Sequence, residues 1–221
     1  MTEPTIQTEL FDLIANRCRI ILVAHLNFSS WEKADRYTHL KRSLDFVKLD
    51  GHYLEFGVAG AITTNIIAEK ISPKTLYGFD SFEGLPENSG IPDGEWFKGA
   101  YRQAVIPKVK DNVTLVTGLF ADTLPEFSKQ IDTTAYLHID CDLYSSTKTV
   151  FDTIGHTLKP GTIIVFDEFH AVDHEPKAFV EWLEKNNYYG IMLNRTGYYQ
   201  QVTFVVTTNP DPDLFKKIYL L

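Results

Sequence analysis

The stretch Tyr53-Leu-Glu-Phe-Gly-Val-Ala-Gly-Ala61 decides the fold. Residues 53–56 have strand character, Gly57 and Gly60 lie in the turn that follows, and residues 62–68 form an apolar run. This order predicts a strand, a tight turn and a helix, in which the glycines let backbone amides approach a ligand. With only two glycines, the match to the G-x-G-x-x-G pattern is incomplete. A strand-to-helix corner that needs glycine only for its geometry is the alternative.

The composition is typical of a soluble α/β domain. The chain has 221 residues, of which 44% are hydrophobic and 23% are charged. A net charge of −8 argues against nucleic acid or an anionic membrane as the main partner. The N-terminus lacks the pattern of a signal peptide and no apolar run is long enough to cross a bilayer, which predicts a cytoplasmic protein. Cys18 and Cys141 are too far apart in sequence to suggest a disulfide framework or a thiolate zinc site.

Two segments with helical spacing of apolar residues precede the central stretch, at residues 5–25 and 32–48. We therefore divide the chain into an N-terminal helical extension, residues 1–50, and a main domain, residues 51–221. The extension could cover the active site, form the contact of a homodimer, or pack against one edge of the sheet. The sequence leaves these alternatives open.

The main domain alternates apolar strands with helical segments, which predicts a mostly parallel Rossmann-like sheet with helices on both faces. Seven strands are predicted, at residues 53–56, 75–80, 113–117, 137–139, 162–166, 189–193 and 201–207. The last two strands follow each other closely, which favours an antiparallel pair at the edge of the sheet. Residues 101–109 have helical spacing.

A carboxylate ends the second predicted strand. Asp80 comes 25 residues after Glu55, and an acid at this place in nucleotide-binding folds accepts hydrogen bonds from ribose hydroxyls. The alternative is that Asp80 only caps a turn.

Three more carboxylates follow neighbouring predicted strands. Asp140 comes after residues 137–139, and the pair Asp167 and Glu168 comes after residues 162–166. Parallel strands bring these groups to the same edge of the sheet, where they would repel each other unless a cation lay between them. Oxygen ligands favour a hard ion, Mg²⁺ before Mn²⁺ or Ca²⁺. A solvated turn is the alternative.

Several other side chains are candidates for the site. His170 lies two residues after the acidic pair and could act as a base, or be an exposed loop residue. His138 lies inside a strand and is predicted to be a core residue. Phe120 could stack beside an adenine or belong to the core. The pocket wall is predicted to include Trp96, Phe97, Tyr198 and Tyr199.

Five segments together resemble the macrocin O-methyltransferase family. They are Glu55-Phe-Gly-Val-Ala-Gly60, Gly78-Phe-Asp-Ser-Phe-Glu-Gly-Leu-Pro86, Asp122-Thr-Leu-Pro125, His138-Ile-Asp-Cys-Asp-Leu-Tyr-Ser-Ser-Thr147 and Asp167-Glu168. The resemblance runs from about Tyr37 to the C-terminus. It implies a seven-stranded methyltransferase sheet whose last strand is antiparallel, with S-adenosylmethionine and Mg²⁺ as cofactors. It also implies a small-molecule acceptor, methylated on a hydroxyl of a sugar or another natural-product moiety.

The resemblance also implies roles for individual residues. Glu55, Gly57 and Gly60 would surround the methionine part of the cofactor, Asp80 and Ser81 would hold its ribose, and Asp140, Asp167 and Glu168 would hold Mg²⁺. The family commonly has two aspartates where this chain has Asp167 and Glu168, so it stays open whether Glu168 binds the ion directly or through water. Asp140 or His170 would take the proton of the acceptor hydroxyl.

Three other functions remain as alternatives. An NAD-dependent oxidoreductase would use the same glycine turn and ribose acid, but it leaves the carboxylate cluster unexplained. A methyltransferase-like domain without catalysis could serve as a binding partner. A metal-dependent hydrolase would use the carboxylates but not the turn. Transfer to nitrogen is also open within the methyltransferase class.

Overall fold

An eight-stranded sheet lies at the centre of the protein. The computed structural model describes residues 19–22, 34–91, 96–196, 199–211 and 213. The strands are β1 (Ile20–Leu22), β2 (His52–Phe56), β3 (Leu76–Asp80), β4 (Val113–Thr117), β5 (Thr134–Ile139), β6 (Leu158–Phe166), β7 (Tyr189–Arg195) and β8 (Val202–Thr207). Their order across the sheet is β1-β7-β8-β6-β5-β2-β3-β4. All neighbours are parallel except that β8 is antiparallel to both β6 and β7.

In the part of the chain that the structure describes, five α-helices lie between the strands. They are α1 (Arg36–Ser43), α2 (Ile62–Ile71), α3 (Phe120–Phe127), α4 (Tyr144–Ile154) and α5 (Glu175–Asn186). Short 3₁₀ turns extend α1, α3 and α4 at their C-terminal ends. Within the described ranges, no helix has the length and apolar character needed to cross a bilayer.

The predicted Rossmann-like sheet is confirmed, with three corrections. All seven predicted strands are present, but residues 20–22, predicted as helix, form an additional strand that pairs in parallel with β7. The rest of the segment 5–25 is outside the described residues apart from residue 19. Strand β8 lies inside the sheet and not at its edge. No helix forms over residues 101–109.

Apolar side chains cover both faces of the sheet. Because side chains alternate along a strand, Leu137 of β5 packs towards α3, α4 and α5, while Tyr136 packs towards α1 and α2. The first face holds the larger cluster, in which the rings of Phe166 and Phe179 lie 5.0 Å apart. Truncation of a fully buried ring such as Phe166 to alanine lowers the free energy of unfolding by about 3–5 kcal/mol. The packing of such rings therefore holds the strands, and the residues at their ends, in fixed positions.

Helix α1 packs on a face of the sheet. Ser43 Oγ and Tyr136 OH are 3.0 Å apart, and His39 Nε2 is 2.9 Å from the hydroxyl of Thr203. Burial lowers the pKa of His39 to about 3, so this imidazole is neutral. These contacts hold α1 over the sheet, and the first turn of α1 reaches the carboxyl ends of the strands.

Candidate active site

A cavity of about 390 Å³ lies at the carboxyl edge of β2, β3, β5 and β6. Its volume is in the range of small-molecule sites. Eight of the ten site residues predicted from the sequence line it: Gly57, Gly60, Asp80, Ser81, Phe120, Asp140, Asp167 and Glu168. The other two, Glu55 and His170, are not among the described residues of its wall.

The turn after β2 brings two strand ends into backbone contact. Gly57 has a φ of +95°, and a Cβ at this position would lie 1.7 Å from the carbonyl oxygen of Asp140. Only glycine permits this approach. At Gly60, by contrast, a Cβ would meet nothing within 4 Å. Since Gly60 lines the cavity, its missing side chain leaves room there for a ligand.

Asp80 closes the same turn. Its Oδ2 accepts hydrogen bonds from the amides of Val58 and Ala59, at 2.9 and 2.8 Å, and its Oδ1 accepts one from Phe82 at 2.7 Å. The two turn amides therefore bind Asp80, whereas the sequence predicted that they would face a ligand. Each carboxylate oxygen has two lone pairs, so Oδ1 can accept one further hydrogen bond from the cavity. Ser81 lies beside it and also lines the cavity.

The aromatic wall of the cavity differs in part from the prediction. Phe120 lines the cavity, with its ring edge-on to buried Phe56 at 5.3 Å. Phe120 therefore packs against the core and also lines the cavity, and its stacking beside an adenine stays a prediction. Four other aromatic residues were predicted for the wall. Tyr198 is outside the described residues, and Trp96, Phe97 and Tyr199 do not line the cavity. The tyrosines that do line it are Tyr37 and Tyr101.

Two aspartates and one arginine form the centre of the acidic end. The Nη2 atom of Arg36, the first residue of α1, lies 3.0 Å from Oδ2 of Asp140 and 3.0 Å from Oδ2 of Asp167. The Asp167 side chain is buried, whereas that of Asp140 is 23% exposed and faces the cavity. The strand ends thus bring together the two aspartates that the sequence predicted to be neighbours. The positive charge between them is the guanidinium of Arg36.

Burial and mutual repulsion raise the pKa values of the carboxyl groups in this cluster. Burial, followed by the charge of Asp167, raises the pKa of Asp140 to about 8 and that of Asp142 to about 7. The same two causes raise the pKa of Glu168 to about 8. These carboxyl groups therefore lack sufficient positive charge around them. A divalent cation would favour their ionised forms, which fits a metal at this place.

His138 stands beside the two aspartates. A ligand atom of each of His138, Asp140 and Asp167 lies within 4.8 Å of the others. His138 is fully buried, and its Nδ1 is 3.0 Å from Oε1 of Glu55, its partner across the β2–β5 pair. Burial alone would lower the pKa of His138, but the hydrogen bond to Glu55 and the nearby negative charges raise it. The His138–Glu55 pair thus supports the acidic cluster from inside the sheet.

Of the two remaining predicted residues near the acidic cluster, Glu168 lines the cavity and His170 does not. The Oε2 atom of Glu168 is 3.2 Å from Nδ1 of His170. Among the described residues, the group that could hold a metal contains His138 as its third member and not Glu168. Burial lowers the pKa of His170, which stands behind Glu168 and outside the cavity wall.

Comparison with known proteins gives the family. A family model described as a methyltransferase domain matches residues 54–169, just over half of the chain. The chain belongs to this family of methyltransferase domains. The match begins in β2 and ends three residues after β6, and it includes the glycine turn, Asp80 and both aspartates of the cluster. No curated protein sequence shows a significant match.

Solved structures share the fold of this methyltransferase. CalS11, a calicheamicin methyltransferase, is 19% identical, with a TM-score of 0.61 over 93% of this chain and 94% of that chain. The O-methyltransferase NovP is 20% identical, with a TM-score of 0.57 over 91% of this chain and 97% of that chain. MycE methyltransferase, in complex with Mg and SAH, is 12% identical, with a TM-score of 0.51 over 92% of this chain and 55% of that chain.

Glu175, which the sequence does not predict as part of the site, contacts the loops that carry the acidic cluster of this methyltransferase. This fully buried carboxylate begins α5, where its Oε1 is 3.3 Å from the amide of Cys141 and its Oε2 is 3.2 Å from the amide of Glu168. It therefore connects the loop after β5 to the loop after β6, each of which carries one aspartate of the cluster. The signal in the sequence is an acidic residue directly before Pro176, since proline favours the first turn of a helix and an acid is stabilised at a helix N-terminus.

Proposed function

We propose that this methyltransferase transfers the methyl group of S-adenosylmethionine to a hydroxyl of a small molecule, with Mg²⁺ as a second cofactor. One observation carries the proposal: the glycine turn with Asp80 and the acidic cluster with Asp140 line the same cavity. A cofactor held by the first group and an acceptor held near the second would have their reacting atoms in one enclosed space.

The cofactor end suits a nucleoside with an attached amino acid. We propose that Oδ1 of Asp80 accepts a hydrogen bond from a ribose hydroxyl, with Ser81 beside it, and that Phe120 lies against the adenine. Gly57 and Gly60 would leave room for the methionine part, for which Gly60 offers open space. Glu55, which the resemblance also assigns to this part, would act through His138 because it lies behind the cavity wall.

The acidic end suits a hydroxyl that must become more nucleophilic. Asp140 and Asp167 would hold Mg²⁺, with His138 or Glu168 in the third position. Bound there, Mg²⁺ would lower the pKa of the acceptor hydroxyl and hold its oxygen in place. Of the two proposed bases, Asp140 lines the cavity whereas His170 does not, so Asp140 is in the better position to receive the proton.

Other residues of the cavity wall support a hydroxylated acceptor such as a sugar or another natural-product moiety. Ser145, Ser146 and Thr149 of α4 line the cavity, as do Tyr37 and Tyr101. Such a wall offers hydrogen bonds to hydroxyls and aromatic faces to the apolar side of a ring. CalS11 and NovP, the structures with the higher TM-scores, are a calicheamicin methyltransferase and an O-methyltransferase.

We also propose that the N-terminal extension, residues 1–50, is a cap on the methyltransferase domain, residues 51–221. Arg36 and Tyr37 of α1 line the cavity, which supports this role. The homodimer contact stays a prediction.

Calorimetric titration tests the proposal. We expect saturable binding of S-adenosylmethionine but not of NAD, and methyl transfer to members of a panel of hydroxylated acceptors that stops on chelation of divalent ions. Binding of NAD instead would favour the oxidoreductase, and binding of neither would favour a domain without catalysis. Turnover that continues at full rate with chelator present would remove Mg²⁺ from the proposal.

A further inference from the structure

Arg36 occupies the position between the two aspartates. One nitrogen, Nη2, is 3.0 Å from an oxygen of each carboxylate. A guanidinium in this geometry neutralises part of the charge that makes two adjacent carboxylates repel each other. The arrangement joins residues 104 positions apart in sequence, and it is made by the first residue of α1.

A divalent ion bound at this cluster would be held by the same two carboxylates, because Asp140 and Asp167 both belong to the group whose ligand atoms lie within 4.8 Å of one another. An Mg²⁺ ion lies about 2.1 Å from each oxygen ligand. Since Nη2 of Arg36 is 3.0 Å from an oxygen of each carboxylate, an ion held by both carboxylates would lie close to the guanidinium, and two cations so close repel strongly in a partly buried site. The guanidinium and the ion thus compete for one pair of ligands.

The backbone of α1 is fixed, but the Arg36 side chain can leave. Asp35 caps the helix by accepting hydrogen bonds from the amides of Tyr37 and Thr38, at 2.9 and 3.0 Å. His39 and Ser43 then attach α1 to the sheet. The Arg36 side chain itself lines the cavity and is 39% exposed. Its guanidinium can therefore move away from the aspartates into the cavity while the helix stays in place.

We propose that Arg36 is a tethered counter-ion which pairs Asp140 with Asp167 in the metal-free enzyme and competes with the divalent ion for them. The inference rests on the metal site of the proposed function. Arg36 keeps the two ligands close together before metal arrives, and metal binding moves its guanidinium off the cluster towards the cavity. Divalent affinity is thereby set partly by a residue of the N-terminal extension.

Metal binding by the purified full chain tests this role. Mn²⁺ affinity is measured by electron paramagnetic resonance for the wild type, for Arg36→Gln and for Lys41→Gln, which removes one exposed positive charge from the same helix. We expect Arg36→Gln to bind Mn²⁺ about tenfold more tightly or better, and Lys41→Gln to stay within about twofold of the wild type. Equal affinity in all three proteins, or weaker binding by Arg36→Gln, would overturn the role of Arg36 and leave the metal site standing. No binding by any of them would overturn the metal site itself.

Thermal unfolding gives a second, independent readout. With chelator present, Arg36→Gln is expected to unfold at a lower temperature than the wild type, because two carboxylates lose their counter-ion. Saturating Mn²⁺ then stabilises the variant by more than it stabilises the wild type. An equal gain in both proteins contradicts the proposal. Should Arg36→Gln fail to fold, Arg36→Lys keeps the charge but loses the planar fork, and its Mn²⁺ affinity is expected to exceed that of the wild type.

Discussion

Replacing Gly57 with alanine tests the backbone contact that joins the two halves of the site. A Cβ at this position would lie 1.7 Å from the carbonyl oxygen of Asp140, whereas real Cβ contacts are almost never under 3.0 Å. One of the two backbone segments must therefore move by more than about 1 Å. Overpacking of this kind costs about 1–3 kcal/mol, and a side chain at φ +95° costs about 1–3 kcal/mol more.

We thus expect Gly57→Ala to lower the free energy of unfolding by about 2–6 kcal/mol, a large share of the about 5–15 kcal/mol of a typical domain. Urea unfolding followed by circular dichroism measures it. Gly60→Ala is the matched control, because its Cβ would meet nothing within 4 Å. It should keep its stability within about 1 kcal/mol, yet bind S-adenosylmethionine about tenfold more weakly, since its methyl group enters the proposed cofactor space.

The two variants refute different steps. A Gly57→Ala protein within about 1 kcal/mol of the wild type would show that β2 and β5 do not approach as closely as described. Unchanged cofactor affinity in Gly60→Ala would remove this turn from the cofactor site, whatever the stability data show.

Three further predictions concern the acidic end. Asp140→Asn is expected to lower turnover about 10²–10⁴-fold and to leave S-adenosylmethionine affinity within a few fold, as measured by product formation and calorimetry; unchanged turnover would exclude Asp140 as the base. Glu175→Ala leaves two loop amides without their acceptor and should weaken Mn²⁺ binding about tenfold or more, whereas Glu184→Ala on the same helix should not. Equal binding by these two variants would limit Glu175 to a role in folding. In metal-free protein the raised pKa values of Asp140, Asp142 and Glu168 mean that these three groups hold more protons in the folded state than in the unfolded state between about pH 4 and 8, so their contribution to the free energy of unfolding falls as the pH rises through this window. His39, whose pKa is lowered to about 3, acts in the opposite sense below about pH 6.5, but it is one group against three, so the free energy of unfolding should still fall. Urea titrations with chelator at pH 5 and pH 8 check the sign, and greater stability at pH 8 would contradict it.

Most of the sheet could be predicted because each strand is a local apolar run. Strand β1 could not, since Ile20 and Ile21 also fit a helical spacing and only pairing with β7, about 170 residues later, makes them a strand. The position of β8 was missed for the same reason. Antiparallel direction follows from a short connection, but the side on which the strand inserts depends on the rest of the sheet.

The acidic residues of the site follow from one rule, that parallel strands bring their terminal residues to one edge of the sheet. This rule predicts that Asp80, Asp140 and Asp167 lie at one edge of the sheet, and all three line the cavity there. It cannot find Arg36, which reaches the cluster from a helix 104 residues earlier. Nor does it identify the partner of His138, because Glu55 is recognised only when the β2–β5 register is known.

The place of β8 between β6 and β7 has a consequence for folding and expression. Both neighbours of β8 precede it in the chain, so β6 has an unpaired edge until β8 arrives. That edge contains Ile163, Ile164 and Val165, which are all buried in the finished sheet. An exposed apolar edge of this kind recruits strands from other chains. Aggregation during synthesis and refolding should therefore depend on how fast the last strand inserts, and shortened chains that lack β8 should accumulate as insoluble protein.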